Sequence, residues 1–235
     1  MMLALLANQA SAKGLDFNHC VEHEFRLSST RMSVFLPGGL DKDFPEAPGH
    51  YRSNIYDADS YDGIVHLPLL LERHWDYRGH FWQGSAGRFG MLGFTLQLRR
   101  IIDAKDINLL HDFEPVKGEI TQDISEKYAE LNQPIPGEPA SNQVDINVAL
   151  QISNLTLNGL QALRSKEVND YPLDDSEIVV YHIPLSDQHY LNFRFKLTPL
   201  GDNNMDKWYS QALRDIDRII QSVKFDYARG KSSKL

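Results

Sequence analysis

The chain has 235 residues, 42% apolar and 10% aromatic, which excludes a disordered chain and suffices for one large domain or two small ones. Its formal charge of −8, from 32 acidic against 24 basic residues, argues against nucleic acid or anionic lipid as partners and toward a basic one. A single cysteine, Cys20, rules out an intrachain disulfide and a cysteine-only metal cluster.

In chain order, Met1–Ala7 is an apolar run followed by Ala10-Ser11-Ala12, an A-x-A cleavage pattern. Residues 1–12 therefore read as the remnant of a signal peptide, and the chain as an exported, periplasmic protein; the alternative is a frayed N-terminus in the cytoplasm. Ser233-Lys234-Leu235 matches a peroxisomal address, but three common residues weigh less than the export pattern. No apolar stretch reaches the roughly 18 residues that a membrane helix requires.

Val21, His23, Phe25 and Leu27 alternate with Glu22, Glu24 and Arg26, the two-residue period of a strand. A Ser28-Ser29-Thr30 turn leads to a second strand over Met32–Leu36, ended by Pro37-Gly38-Gly39. Leu40–Gly63 reads as an extended loop with a short strand near Tyr56. Ile64–Leu71 is broken by Pro68 and suits an edge strand. Phe94, Leu96 and Leu98 mark another strand, and Thr121–Leu131 a short helix with Ile124, Tyr128 and Leu131 on one side.

The proline-rich stretch 134–143 is the one candidate boundary, separating 13–133 from 144–227, with a flexible tail at 228–235. Val144, Ile146, Val148, Leu150 and Ile152 alternate strictly, and Asn158-Gly159 signals a tight turn between Leu157 and Leu160. Ile178–Ile183 and Tyr190–Leu197 form a hairpin, the second strand with Leu191, Phe193, Phe195 and Leu197 on its one buried face. Trp208, Ala212, Leu213, Ile216, Ile219 and Ile220 make the apolar stripe of an amphipathic helix, capped by Asn203 or Asn204, with Val223 and Phe225 as a short coda. About eight strands, consecutive rather than alternating with two helices, give an α+β fold: a largely antiparallel sheet packed by helices.

Few residues point to chemistry. Gly84–Gly90 fits neither phosphate-loop spacing and reads as a hairpin loop. His19, Glu22 and His23 would make a zinc set only on a helix, and strand alternation makes His23 a core or edge histidine. Trp75, Tyr77, Phe81 and Trp82 read as packing or interface residues. The Asn154-Leu155-Thr156 sequon falls on a strand edge and is treated as chance. With no nucleophile elbow and no evident acid/base pair, the expectation is no enzyme, no catalytic residue, no cofactor and no metal. The aspartates of Asp57–Asp62 fail calcium-loop spacing twice, at Tyr61 and Pro68, and form a solvated acidic loop flanked by tyrosines. Tyr51, Tyr56, Asp57, Asp59, Tyr61 and Asp62 are accordingly the candidate partner-binding residues, since tyrosines bury area cheaply and carboxylates steer a basic partner.

Leu155-Thr156-Leu157-Asn158-Gly159 with Leu160–Leu163, the strand pair Ile178–Ile183 and Tyr190–Leu197, and the closing helix Trp208–Ile220 running into Ser222-Val223-Lys224-Phe225 resemble the PsbP-like sandwich group, which includes DcrB-type exported proteins. Met32–Pro37 is similar to that group's opening strand, whereas residues 40–143 match nothing in it. The resemblance implies a binding protein, and some exported members resemble periplasmic immunity proteins that neutralise toxins delivered by type VI secretion. The function expected from it is a non-enzymatic immunity protein bound to a basic-clefted toxic effector. The alternatives are an accessory protein of an envelope complex and a hydrolase or small-ligand enzyme with dispersed site residues.

Overall fold

The computed structural model describes residues 14–38, 50–56, 66–78, 88–101, 107–133, 150–168, 176–200 and 205–227. The signal-peptide pattern, Asp57–Asp62, Phe81, Trp82, Gly84–Gly87, the 134–143 connector, Val144–Val148, Asn203, Asn204 and the C-terminal tail lie outside them.

Among the described residues ten strands and two helices follow one another as β1 (Asp16–Leu27), β2 (Thr30–Gly38), β3 (His50–Ser53), β4 (His66–Arg78), β5 (Arg88–Arg100), α1 (Glu114–Leu131), β6 (Leu150–Leu157), β7 (Leu160–Val168), β8 (Glu177–Pro184), β9 (His189–Pro199), α2 (Met205–Gln221) and β10 (Lys224–Tyr227). A six-stranded sheet runs β4-β5-β9-β8-β7-β6, antiparallel throughout. A four-stranded sheet runs β10-β2-β1-β3 and is antiparallel except for the β1/β3 pair. The architecture is the expected α+β class of mainly antiparallel sheets with two helices. Both sheets draw strands from each side of the 134–143 connector, since β5 pairs β9 and β2 pairs β10.

Period-two alternation builds the core directly. Leu92, Phe94, Leu96 and Leu98 of β5 face the same way as Leu191, Phe193, Phe195 and Leu197 of β9, and all are buried. The Phe94 ring sits 5.1 Å from Phe195 and 6.2 Å from Phe193, tilted pairs that add to the area buried. Phe25, Leu27, Met32, Val34 and Leu36 of the smaller sheet join the same cluster, as do Trp208, Ala212, Ile216, Ile219 and Ile220 of α2. Helix α2 touches β2, β5 and β9, so it contacts both sheets. Its fully buried Trp208 packs where a Cβ on Gly90 of β5 would collide with the indole.

Several elements depart from the sequence reading. β9 is buried on both faces: Tyr190 and Asn192, on the side expected to be wet, are covered, and Tyr190 joins Leu109, Phe113, Val116, Ile120 and Leu163 in a second cluster. The cover is α1, which starts at Glu114 rather than Thr121 because Pro115 occupies the first turn, where a missing N–H breaks no helical bond. β2 continues through Pro37 to Gly38 instead of stopping there. The short strand expected near Tyr56 is β3, at His50–Ser53, and Tyr56 lies in the turn after it. β4 is an edge strand whose register breaks between His66, Leu69 and Leu71, around Pro68, but it runs on to Arg78. Trp75 and Tyr77 point into the core, which removes them as interface candidates. Val21 is 53% exposed at the rim of β1 rather than core. The coda is a true strand, with Phe225 opposite Met32.

Gly90→Ala should destabilise the fold by about 1–3 kcal/mol through overpacking against Trp208. Phe193→Ala should cost about 3–5 kcal/mol through the cavity it leaves. Gly118, on the exposed side of α1 with open space beside it, is the contrast. Gly118→Ala should stabilise by about 0.5–1 kcal/mol, since alanine is the better helix former. Guanidinium unfolding midpoints would rank the three, and a neutral Gly90→Ala would contradict the Trp208 packing.

Candidate functional site

Two places gather polar groups, and the β8–β9 hairpin contributes to both. At its turn, the Ser186 hydroxyl accepts the His189 N–H at 3.1 Å and lies 2.8 Å from His189 Nδ1. The His189 ring also meets the Ile55 carbonyl beyond β3, and the exposed ring of Tyr56 packs edge-on against it at 5.1 Å. Ser28, at a left-handed φ of 53°, gives its hydroxyl to Asn54 Oδ1 and accepts the Ile55 N–H at 2.9 Å, which fixes the turn that presents Tyr56. The Asp187 carbonyl accepts the Leu109 N–H at 2.9 Å, bringing the loop with exposed Leu110, His111 and Asp112 to the same end. This end thus offers an aromatic ring, a leucine and the carboxylates of Asp112 and Asp187.

The hairpin stem contributes the second place. On the face beneath α1, His182 of β8 stands directly across from Asn192 of β9. The Asn192 side-chain oxygen lies 2.7 Å from His182 Nδ1, and the Ser165 hydroxyl of β7 lies 2.8 Å from Nε2. An amide oxygen only accepts, so Nδ1 carries the proton and Ser165 donates to Nε2. All three side chains are buried. Burial pushes the His182 pKa down to about 4, against the opposing bond to Asn192. The order hydroxyl, imidazole, orienting amide is that of a nucleophile set. Two features separate it from an acyl-transfer site. Ser165 lies within β7, flanked by β6 and β8, so its backbone groups belong to the sheet ladders rather than to an oxyanion hole. An imidazole held near 4 is also a weak general base at neutral pH.

Around this relay, Glu167 accepts from Lys127 of α1 and from the Tyr128 hydroxyl, and Arg99 reaches Asp123 of α1 at 3.4 Å. Burial raises the Glu119 carboxyl beside Tyr190, and the Tyr190 hydroxyl is raised well above its ordinary value. Among the described residues no group of three or more His, Cys, Asp or Glu is placed to hold a metal ion.

Of the residues expected from sequence, Tyr56 projects into solvent, while Tyr51 is half-buried against Phe25 at 6.1 Å and supports the turn. Asp57, Asp59, Tyr61 and Asp62 lie outside the described residues. His23 is a core histidine and His74 pairs with Glu72 at 3.0 Å. Asn154 and Thr156 sit exposed on β6, the edge of the larger sheet. Sequence reasoning missed Ser165, His182, Asn192 and Arg194. The hairpin itself contained half the signal, because counting outward from its turn pairs residue 182 with residue 192. Nothing in the sequence brings Ser165 to them.

No known family matches the chain and no curated protein of similar sequence is found. Among solved structures, the crystal structure of the Saccharomyces cerevisiae Ran-binding protein Mog1p is similar at 14% identity, covering 89% of this chain and 97% of that one, with a TM-score of 0.36. No helix among the described residues is long and apolar enough to cross a membrane.

Burial also lowers His23 and His189 to about 4, helped by Arg73 and Arg100 respectively. Unfolded histidines titrate near 6.5, so between those values the unfolded chain binds more protons than the folded one. Stability should be fully present above about pH 6.5 and fall as pH drops toward 4. At pH 5, His182→Asn should lower the proton uptake on unfolding by about one proton, read from denaturation series at neighbouring pH values. An unchanged uptake would mean that His182 titrates normally in the folded protein.

Proposed function

We propose that this chain is a protein-binding module that docks a basic partner through the end carrying Tyr56. The observation that carries the reading is the exposed Tyr56 ring, held edge-on by buried His189 at 5.1 Å and joined at the β8–β9 turn by the loop of Leu110. A tyrosine fixed in advance loses little entropy on binding, and a leucine beside it adds apolar area. The carboxylates of Asp112 and Asp187, together with Asp57, Asp59 and Asp62 in the sequence that follows Tyr56, favour a basic cleft as the complement. Taken with the resemblance to the PsbP-like sandwich group and the export-like N-terminus, the reading becomes an exported periplasmic immunity protein that occludes a secreted toxic effector.

The test is co-purification with the product of an adjacent toxin-like gene and protection of cells that express it. Asp57, Asp59 and Asp62 changed together to Ala should slow association and flatten its salt dependence, because steering by charge is screened beyond about 8–10 Å at physiological ionic strength. Tyr56→Ala should act through faster dissociation, by about tenfold or more, with association little changed. Failure to bind or protect would overturn the reading. Binding that ignores Tyr56 would move the interface elsewhere.

A hydrolase is the second reading, favoured by the Ser165–His182–Asn192 relay. It requires Ser165 to react with a fluorophosphonate probe, with the label lost in Ser165→Ala. Mass spectrometry showing Ser165 unmodified in the folded protein would remove it.

A further inference from the structure

A cleft of about 240 Å³ lies between α1 and the outer face of the larger sheet, beside the Ser165–His182–Asn192 relay. Its floor holds Arg194 of β9, which stands across from Thr95 of β5 on one side and Val180 of β8 on the other. The guanidinium is half-buried, and burial lowers its pKa. Its charged neighbour is Glu167, whose carboxylate is already engaged by Lys127 and Tyr128. The Arg194 guanidinium lines the cleft, and the buried Thr95 hydroxyl across from it has no hydrogen-bond partner. The cleft's other arginine, Arg99, faces Asp123. A buried hydroxyl left without a partner is costly, and a guanidinium fork matches a planar carboxylate. Opposite the polar floor the wall is apolar, from Ile120 and Ile124 of α1 and Leu150 of β6. At about 30 Å³ per water the space holds about eight water-sized groups, the size of a small organic molecule.

We propose that the cleft beneath α1 binds a small organic acid, its carboxylate on the Arg194 guanidinium and the Thr95 hydroxyl and its apolar body against Ile120, Ile124 and Leu150. The two-sided lining sets the class. Inorganic phosphate would leave the apolar wall unused, and a neutral alcohol would leave the arginine unmet. A partner's acidic segment would have to thread between helix and sheet, which the small volume disfavours. The site is separate from the Tyr56 end and does not depend on what binds there.

The experiment is an NMR titration of the intact chain with hexanoate, and in parallel with inorganic phosphate and hexanol. Hexanoate should move the Thr95 and Ser165 amide signals and the Arg194 side-chain Nε signal saturably. Phosphate and hexanol should bind at least about tenfold more weakly. Arg194→Gln should weaken hexanoate at least about tenfold, and Thr95→Val, which keeps the shape of the side chain, by a smaller factor. Saturable hexanoate shifts centred on the Arg194 signal would stand as support even if Arg194→Gln failed to fold. No saturable shift at these signals, hexanol or phosphate matching hexanoate, or a folded Arg194→Gln with parental affinity would each overturn the proposal.

Discussion

A single buried carboxyl, on Asp215, holds the two sheets and α2 in one arrangement. It accepts the Tyr77 hydroxyl of β4 at 2.9 Å, the Leu15 N–H just before β1 at 3.0 Å and the Gln211 amide one helical turn back at 2.9 Å. One donor comes from the edge of the larger sheet, one from the approach to the smaller sheet and one from the helix itself. A carboxyl enclosed this completely is tolerable only while its donors stay in place, so any sliding of α2 would leave acceptors unmet. Burial and the adjacent carboxyl raise the Tyr77 hydroxyl well above its ordinary pKa, which keeps it a donor. Trp208, two turns before Asp215, is locked in the same way by sterics, against the space left by Gly90 and beside the Tyr77 ring at 5.4 Å.

The rest of the chain follows from that placement. Ser222, at the end of α2, donates its hydroxyl back to the Ile219 carbonyl at 2.6 Å and accepts the Phe35 N–H at 3.0 Å. The helix is thereby stopped against β2, and the next residues enter the smaller sheet as β10. Asn158 of the β6–β7 turn donates to the Val223 carbonyl at 2.6 Å, which ties the hairpin at the far edge of the larger sheet to the same point. Two sheets meeting only through apolar side chains could rotate against each other. Here directional bonds from both sheets converge on one helix.

Elements whose own sequence decides their conformation were legible, and those decided by a distant cover were not. Asn158-Gly159 was readable as a tight turn because both residues take left-handed angles, φ 51° and 84°, which that pair tolerates best. The apolar alternation of β9 was equally plain. What it concealed was the second burial, because Tyr190, Asn192 and Arg194 are polar enough to pass for a wet face. Their cover, α1, has a thin apolar stripe, with Val116, Ile120 and Tyr128 buried, and opens on a proline, which reads as a break. β3 and β10 are too short, at 4 residues each, for a period to show. The candidate site divides along the same line. Tyr56 was found from local composition, whereas the Ser165–His182–Asn192 relay needs three strands in register before it exists.

The contrast between the two faces of the larger sheet explains why sites gather where they do. Its inner face is filled by leucine and phenylalanine along β5 and β9, with buried charges, Arg73 and Glu177, only on the flanking strands β4 and β8 among the described residues. Its outer face is half-covered by a helix whose stripe is too narrow to exclude polar groups, so buried polar residues there must satisfy one another or be satisfied from outside. Ser165, His182 and Asn192 take the first course and stiffen the floor. The Thr95 hydroxyl, across from Arg194, has not done so. The roof over them is positioned from the loop end, because the Leu109 N–H is held by the Asp187 carbonyl and α1 begins at Glu114, just beyond. The β8–β9 hairpin therefore carries two duties at once: its stem builds the cleft, and its turn supports both Tyr56 and the start of the helix that covers the cleft. His182 and His189 sit in that stem and turn, where burial disfavours the imidazolium, so the element on which both candidate surfaces rest is pH-sensitive in its own core.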